Sequence, residues 1–517
     1  MTARLLASLL ASCLLAGSGM AQARIVLPSM FSDHGVLQRN KPIHIWGAAK
    51  PGERLRIAFR GEAQDVTASA HGFWETHLRP QGPGGPFTLV VESQDSSERV
   101  QLVDLFVGDV WFASGQSNME MPLEGFPKST SPVNDGEKAI AVAANPRLRL
   151  LAQTRRTGMA PMWDSQDRWS VTSPQSARGF SAIAYSFGEK LIADNDVPVG
   201  LIEATWGGTP AHAWMSAEGI GWAGLGSVAM DAGSVARQQA LVDKIRDNHA
   251  VNPEVPLASA ASLRDHLNSY IPSSLYNGMI APYAGYTISG WIWYQGETDA
   301  NEMRPAYYSR VFPALIQDWR KQWGQGTLPF LYVQLSSFGR GNPNWGVVRD
   351  AQRRTEELAN TGMVVALDVG ARDNIHPPEK FTLGRRFAAL AQSVGADDAA
   401  LHKKGKAFEG HSPRFLQATS EGMAIRAWFD HAQGLVPSGP LVGGFEIAGE
   451  DRRFVTANAR IEMIEGKASI VARAPGVPAP RFVRYGWAPY VSDYIYNSAG
   501  LPLGTFTSES DSQMVTP

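Results

Sequence analysis

The chain has 517 residues, 47 basic against 49 acidic side chains, and one cysteine. At about 150 residues per domain that length predicts roughly three domains, and a composition of 44% apolar with 19% charged residues excludes wholesale disorder. A formal net charge of -2 with no long basic run argues against nucleic acid as the partner, because phosphate binding needs a concentrated positive surface.

Residues 1–23 open with Met-Thr-Ala-Arg, continue through an apolar stretch from Leu5 to Leu15, and end in Ala21-Gln22-Ala23. A positive start, an apolar middle and an A-x-A site describe a secretory signal peptide. The apolar run is shorter than the ~20 residues a membrane span needs. Cleavage after Ala23 would remove Cys13, leaving a mature chain with no disulfide and no thiol nucleophile. Leu10-Ala11-Ser12-Cys13 also fits a lipoprotein box, but apolar residues continue past Cys13, which argues for a periplasmic or secreted soluble chain.

From 24 to 104, strand-length apolar runs (Ile43–Trp46, Leu55–Phe59, Phe87–Val91) alternate with turn signals such as Lys50-Pro51-Gly52, predicting an antiparallel β-domain. The pattern changes near 105. Leu105–Ala113, Val199–Ala204, Ile288–Tyr294, Phe330–Leu335 and Met363–Asp368 read as buried strands. Between them lie helical patterns at Phe180–Ala193, Tyr307–Trp323, Trp345–Leu358 and Phe381–Val394. Pro313 argues against regular first turns in the second of these. This alternation predicts an α/β fold, a doubly wound parallel sheet, over 105–404. Residues 214–268 break the rhythm and read as an insertion. From 405 to 517 the β pattern returns, as a second β-domain.

Ligands of open α/β sheets bind past the carboxyl ends of the strands, so the polar residues there are the candidates. Gly115-Gln116-Ser117-Asn118-Met119 follows the first core strand and presents a serine in a strand-to-helix turn. A capping box between Ser117 and Glu120 explains the same spacing. Trp206-Gly207-Gly208 follows the next, where paired glycines allow close backbone approach, although a plain turn accounts for them too. Gln295-Gly296-Glu297-Thr298-Asp299 offers a side-chain amide donor, with Glu297 and Asp299 read as helix caps. Asp373-Asn374-Ile375-His376-Pro377 places a loop histidine three residues after an aspartate, so one ring nitrogen could be held by the carboxylate while the other serves as a base. A metal site or a surface loop would also fit this last cluster, but the remaining histidines form no spaced ligand set.

The ordered set resembles the four blocks of the SGNH (GDSL-like) hydrolase superfamily. The surrounding residues resemble its sialate O-acetylesterase branch, which includes bacterial carbohydrate acetylesterases. The resemblance is carried by Gly108-Asp109-Val110-Trp111, Gly115-Gln116-Ser117-Asn118-Met119-Glu120-Met121-Pro122, Tyr276-Asn277-Gly278-Met279-Ile280-Ala281-Pro282, Trp293-Tyr294-Gln295-Gly296-Glu297, Asp373-Asn374-Ile375-His376-Pro377 and Asn497-Ser498-Ala499-Gly500-Leu501-Pro502. It implies an SGNH core flanked by N- and C-terminal β-domains and a serine acetylesterase that needs no cofactor or metal. Carried over, Ser117 is the nucleophile, His376 the base and acid, and Asp373 the residue orienting His376. The oxyanion hole combines the backbone N–H of Ser117, that of Gly207 or Gly208, and a side-chain donor. The superfamily has an asparagine in that third block. Gln295 is the substitute here, since an ionised carboxylate cannot donate.

The implied partner is an acetylated carbohydrate, either O-acetyl sialic acid or a hemicellulose such as xyloglucan or xylan, with no nucleic acid and no membrane span. Trp206 is the candidate for stacking on a sugar ring. Arg340, Arg349 and Arg372 are candidates for meeting a sialate carboxylate. Two rival readings are a carbohydrate-binding protein with little activity and a serine hydrolase for another ester class.

Overall fold

A computed structural model describes residues 24–126, 131–226, 268–301, 305–394 and 410–510. The expected signal segment 1–23 and much of the expected insertion (227–267) lie outside the described residues.

The centre of the molecule is a parallel sheet built from β1 (Arg99–Gly115), β2 (Leu148–Ala152), β3 (Val199–Thr205), β4 (Gly290–Tyr294), β5 (Phe330–Gln334) and β6 (Thr361–Val365). Their spatial order is β6-β5-β4-β1-β3-β2, with neighbours parallel throughout. Every residue of β3, β4 and β5 is buried, as strands covered by helices on both faces must be. That continuous burial is why they read in sequence as unbroken apolar runs rather than alternating ones.

The helices supply the covering. α1 (Ser117–Glu120) follows β1 directly, α2 (Ala182–Asn195) precedes β3, α3 (Pro305–Trp323) precedes β5, α4 (Trp345–Arg354) precedes β6, and α5 (Lys380–Val394) follows it. On α3, Tyr308, Val311, Phe312, Leu315, Ile316, Trp319 and Trp323 are all buried, the 3.6-residue stripe expected of an amphipathic helix. The helix runs through Pro313 without ending. Trp291 and Trp293 of β4 pack against Trp319 in this layer, so these tryptophans serve the core.

Two features differ from the sequence expectation. β2 was not legible as a strand because Arg149 interrupts Leu148–Ala152. In the fold Arg149 is buried and its guanidinium donates to Asp104 Oδ2 at 2.7 Å and to the Pro146 carbonyl at 2.7 Å, so the charge sits inside a polar socket. Second, the boundary expected at residue 105 falls inside β1. The first half of this strand pairs antiparallel with Gly84–Ser93, and its second half enters the parallel sheet. The N-terminal β-region and the core therefore share one strand.

Beyond α5, two four-stranded antiparallel sheets form the C-terminal region, one built on Ala424–Asp430 and Lys467–Arg473, the other on Phe445–Ala448 and Phe482–Tyr485. Arg349 of α4 fastens it to the core. This arginine is fully buried and donates to the carbonyls of Leu335, Ser336, Gly486, Ala488 and Pro489. It therefore holds the fold and cannot meet a substrate.

Strand order reverses at β1, since chain crossovers place β3 on one side and β4 on the other. Gly115 pairs with Thr205 on one side and with Tyr294 on the other, so all three strands end level. The crevice above such a switch point is where ligands bind in open α/β sheets.

Candidate active site

At the end of β1 the chain turns sharply. Gly115 has φ +136°, and a Cβ there would lie 2.1 Å from the Tyr294 carbonyl oxygen. Only glycine fits, and the close approach carries Gln116 onto β4, where its N–H donates to Tyr294 O at 2.9 Å. Trp206 N–H donates to Gly115 O at 3.1 Å, tying the β3 exit to the same turn. Ser117 is thus fixed by both neighbouring strands.

The Ser117 hydroxyl lies 2.8 Å from His376 Nε2. The capping-box reading of Ser117 does not hold, because Gln116 is the N-cap and Ser117 already belongs to the helix. Glu120 instead turns outward. Its Oε2 accepts the Gly207 N–H at 2.6 Å, and Oε1 pairs with the Arg155 guanidinium.

His376 is held by its backbone and by packing. Its N–H donates to Asn374 Oδ1 at 2.9 Å, and its ring stands edge-on to Phe126 with centroids 5.1 Å apart. Burial, with the Lys380 ammonium behind it, pushes the imidazole pKa down to about 4. The ring is therefore neutral at physiological pH.

Asp373 is not where the sequence placed it. Its carboxylate is exposed and lies 3.6 Å from the Arg340 guanidinium, with no hydrogen bond to His376. The carboxylate is solvated, and an exposed pair at this distance contributes little by itself. If this geometry governs catalysis, Asp373→Asn lowers kcat by less than about tenfold, the scale of an exposed ion pair. Where an aspartate fixes the tautomer of a catalytic histidine, the same change costs about 10⁴. Steady-state kinetics of this one variant separate the two cases.

The third block also departs from expectation. Gln295 is fully buried, and its amide donates to Asp299 Oδ2 at 2.5 Å and to Thr209 O at 3.1 Å, while Oε1 accepts from Tyr308 at 3.2 Å. Both donors are spent inside the protein, so this amide does not face Ser117. Glu297 and Asp299 do not serve as simple caps either. Glu297 accepts from Asn118, and Asp299 from Gln295 and the Ala211 N–H.

The glycine pair lies partly at the site. Gly207 abuts Ser117, whose Cβ is 3.1 Å from where a Gly207 Cβ would stand. Gly208 takes a left-handed φ of +73° and completes the turn. Trp206 is buried, and the Arg155 guanidinium lies over its ring at 5.7 Å, so that face is not open to a sugar.

A cavity of about 770 Å³ opens over Ser117 and His376. Its wall includes Glu120, Glu124, Arg155 and Glu203. Burial raises the Glu203 pKa to about 7, against hydrogen bonds from the Ser181 N–H and the Thr205 hydroxyl. Arg340 and Arg372 are exposed and do not line this cavity; Arg155 is the arginine that does. It follows the strand that sequence reading missed, and recognising β2 would have placed it at a strand end.

Comparison with known proteins identifies the family. Residues 244–393 match the family model described as carbohydrate esterase, sialic acid-specific acetylesterase. Sialate O-acetylesterase from Pongo abelii is 28% identical, with 89% of this chain and 88% of that protein covered. The Homo sapiens enzyme of the same name is 29% identical over 72% of this chain and 70% of its own length. Among solved structures, a carbohydrate acetylesterase from Xanthomonas citri is 32% identical, with 94% of this chain and 100% of that chain covered and a TM-score of 0.77. The chain belongs to this carbohydrate acetylesterase family. The acetylesterase has the α/β architecture expected of the family, with β-regions on either side of the core. No helix among its described residues is long and apolar enough to cross a membrane.

Proposed function

We propose that this acetylesterase is exported and removes acetyl groups from glycans through an acetyl-serine intermediate on Ser117. The observation that carries the reading is the 2.8 Å contact between the Ser117 hydroxyl and His376 Nε2 on the floor of the cavity. Export rests on the signal-like residues 1–23.

The neutral imidazole carries its proton on Nδ1, leaving Nε2 to accept the Ser117 proton. Ser117 Oγ attacks the acetyl carbonyl carbon, and the tetrahedral oxyanion is met by the backbone N–H groups of Ser117 and Gly207. Gly207 must first let go of Glu120. Arg155 already pairs with that carboxylate, so its charge stays compensated when the substrate carbonyl takes its place. The intermediate collapses by breaking the bond to the sugar oxygen, which takes the proton from His376. Water, deprotonated by His376, then attacks the acetyl-serine and releases acetate. Gly208 shapes the turn that presents Gly207.

The charge of the cavity favours an uncharged glycan. Among the described residues that line it, Glu120 is paired with Arg155 and Glu124 with Arg178, while burial holds the Glu203 carboxyl at a pKa of about 7. A sialate carboxylate would therefore meet no unpaired cation among the described lining residues, since Arg155 is engaged by Glu120. Acetylated hemicellulose, xyloglucan or xylan, carries no such charge. Acetate release measured side by side should be faster from acetylated xyloglucan or xylan than from O-acetyl sialic acid. A clear preference for the sialic acid would contradict the neutral-glycan assignment.

A further inference from the structure

Three buried polar side chains next to Ser117 have no part in the chemistry above. Lys380, the first residue of α5, is fully buried, with Nζ 2.5 Å from Asn118 Oδ1 and 5.9 Å from the centre of the Tyr294 ring. Asn118, adjacent to Ser117 and also buried, donates through Nδ2 to Glu297 Oε1 at 2.5 Å and to the Ile375 carbonyl at 3.0 Å. Ile375 immediately precedes His376. Glu297 is buried, and its Oε2 has no hydrogen-bond partner.

The donor inventory fixes how Asn118 must point. Burial lowers the Lys380 pKa to about 7 and raises that of Glu297; where the two carry opposite charges an ammonium only donates and a carboxylate only accepts, so Oδ1 is committed to Lys380 and Nδ2 to Glu297. With the amide unable to flip, its second N–H is delivered to the one carbonyl that precedes the histidine. A buried lysine and glutamate contribute little net stability compared with apolar residues of the same volume. Their placement on either side of this amide gives them a different use.

We infer that Asn118, its amide oriented by buried Lys380 and Glu297, is a positioning residue that holds the His376 loop in hydrogen-bonding register with Ser117. The inference rests on the reading of Ser117 and His376 given above. It also accounts for an Asp373 that does not orient the ring, since the loop is fastened through Ile375 instead.

The charge of Lys380 has a separate, measurable consequence. Among the described residues the charged and titratable groups around His376 are Lys380 from α5 with the buried Glu297 opposing it, Glu120 from α1, Glu124 beyond it, and Arg155 and Glu203 across the cavity, while Asp373 pairs outward with Arg340. Among these, the Lys380 cation lowers the affinity of His376 for a proton. Removing the cation therefore raises it, and the acid limb of kcat/KM, which reports the free base, moves to higher pH.

The test compares kcat/KM for p-nitrophenyl acetate against pH in the intact enzyme and its Lys380→Met, Lys380→Arg and Asn118→Leu variants. Asn118→Leu should lose about 10²-fold in kcat with KM little changed, as misplacement of a catalytic group does. Lys380→Met should lower kcat and move the acid limb up by about one pH unit, and Lys380→Arg should return the limb to its wild-type position. Where Lys380→Met strands Glu297 and fails to fold, Lys380→Met combined with Glu297→Gln removes the unpaired buried charge and should show the same shift. An unmoved acid limb in a folded variant, or full activity in Asn118→Leu, overturns the inference. Those results leave the site reading standing, whereas undiminished turnover by a Ser117→Ala enzyme sinks the site reading whatever Lys380 does.

Discussion

Replacing Ser117 with alanine lowers kcat by about 10⁶, the loss found when a serine hydrolase nucleophile is removed. The size follows from covalent catalysis. Without Oγ no acetyl-enzyme forms, and only the oxyanion donors and substrate binding remain to assist direct attack by water. The fold should not suffer, because the Ser117 hydroxyl makes one hydrogen bond, to His376, and the sharp turn depends on Gly115 rather than on the serine. KM should change little. A structural explanation for lost activity is thereby separated from a chemical one by the thermal midpoint of the variant, which stays near that of the wild type.

The second large effect is at His376. His376→Ala lowers kcat by a comparable factor, again about 10⁶, and the double variant with Ser117→Ala is no worse than either alone. This non-additivity is the signature of two groups acting as one unit, with the nucleophile useless without its base. Losses that multiply in the double variant would mean that the two side chains act independently, and the 2.8 Å contact would then be incidental to turnover. The neutral state of His376 sharpens the expectation. A histidine held down to about pKa 4 is unprotonated through the physiological range, so its contribution is available wherever the enzyme works.

These outcomes rest on residues that were unevenly legible in sequence. Ser117 and His376 were legible because both follow or closely trail buried strands, and strand ends are where an open α/β sheet presents ligands. The burial of β3, β4 and β5 on both faces made their runs continuous and easy to find. Side-chain direction was not legible. Gln295 stands at the right strand end, yet it turns inward to Asp299 and Thr209, a choice set by partners from distant segments. Asp373 has the spacing of an orienting carboxylate, but its side chain lies in solvent, opposite Arg340, which shares no pattern with it. Trp206 lies under Arg155 for the same reason, since Arg155 comes from past a strand that Arg149 disguised. Spacing placed the backbone; long-range polar pairing decided which atoms face the cavity.

The network behind the site follows the same logic. Asn118 is one residue from the nucleophile in sequence, but Glu297 and Lys380 come from two other segments, and only the fold brings them to opposite ends of one amide.

Covalent labelling shows whether Ser117 is the activated nucleophile of this acetylesterase. The enzyme is inactivated with a fluorophosphonate, digested, and its peptides mapped by mass spectrometry. One adduct is expected, on Ser117, appearing in step with loss of acetylesterase activity and missing in His376→Ala under the same conditions. Inactivation with the adduct on another serine, or full activity with Ser117 labelled, would contradict this role.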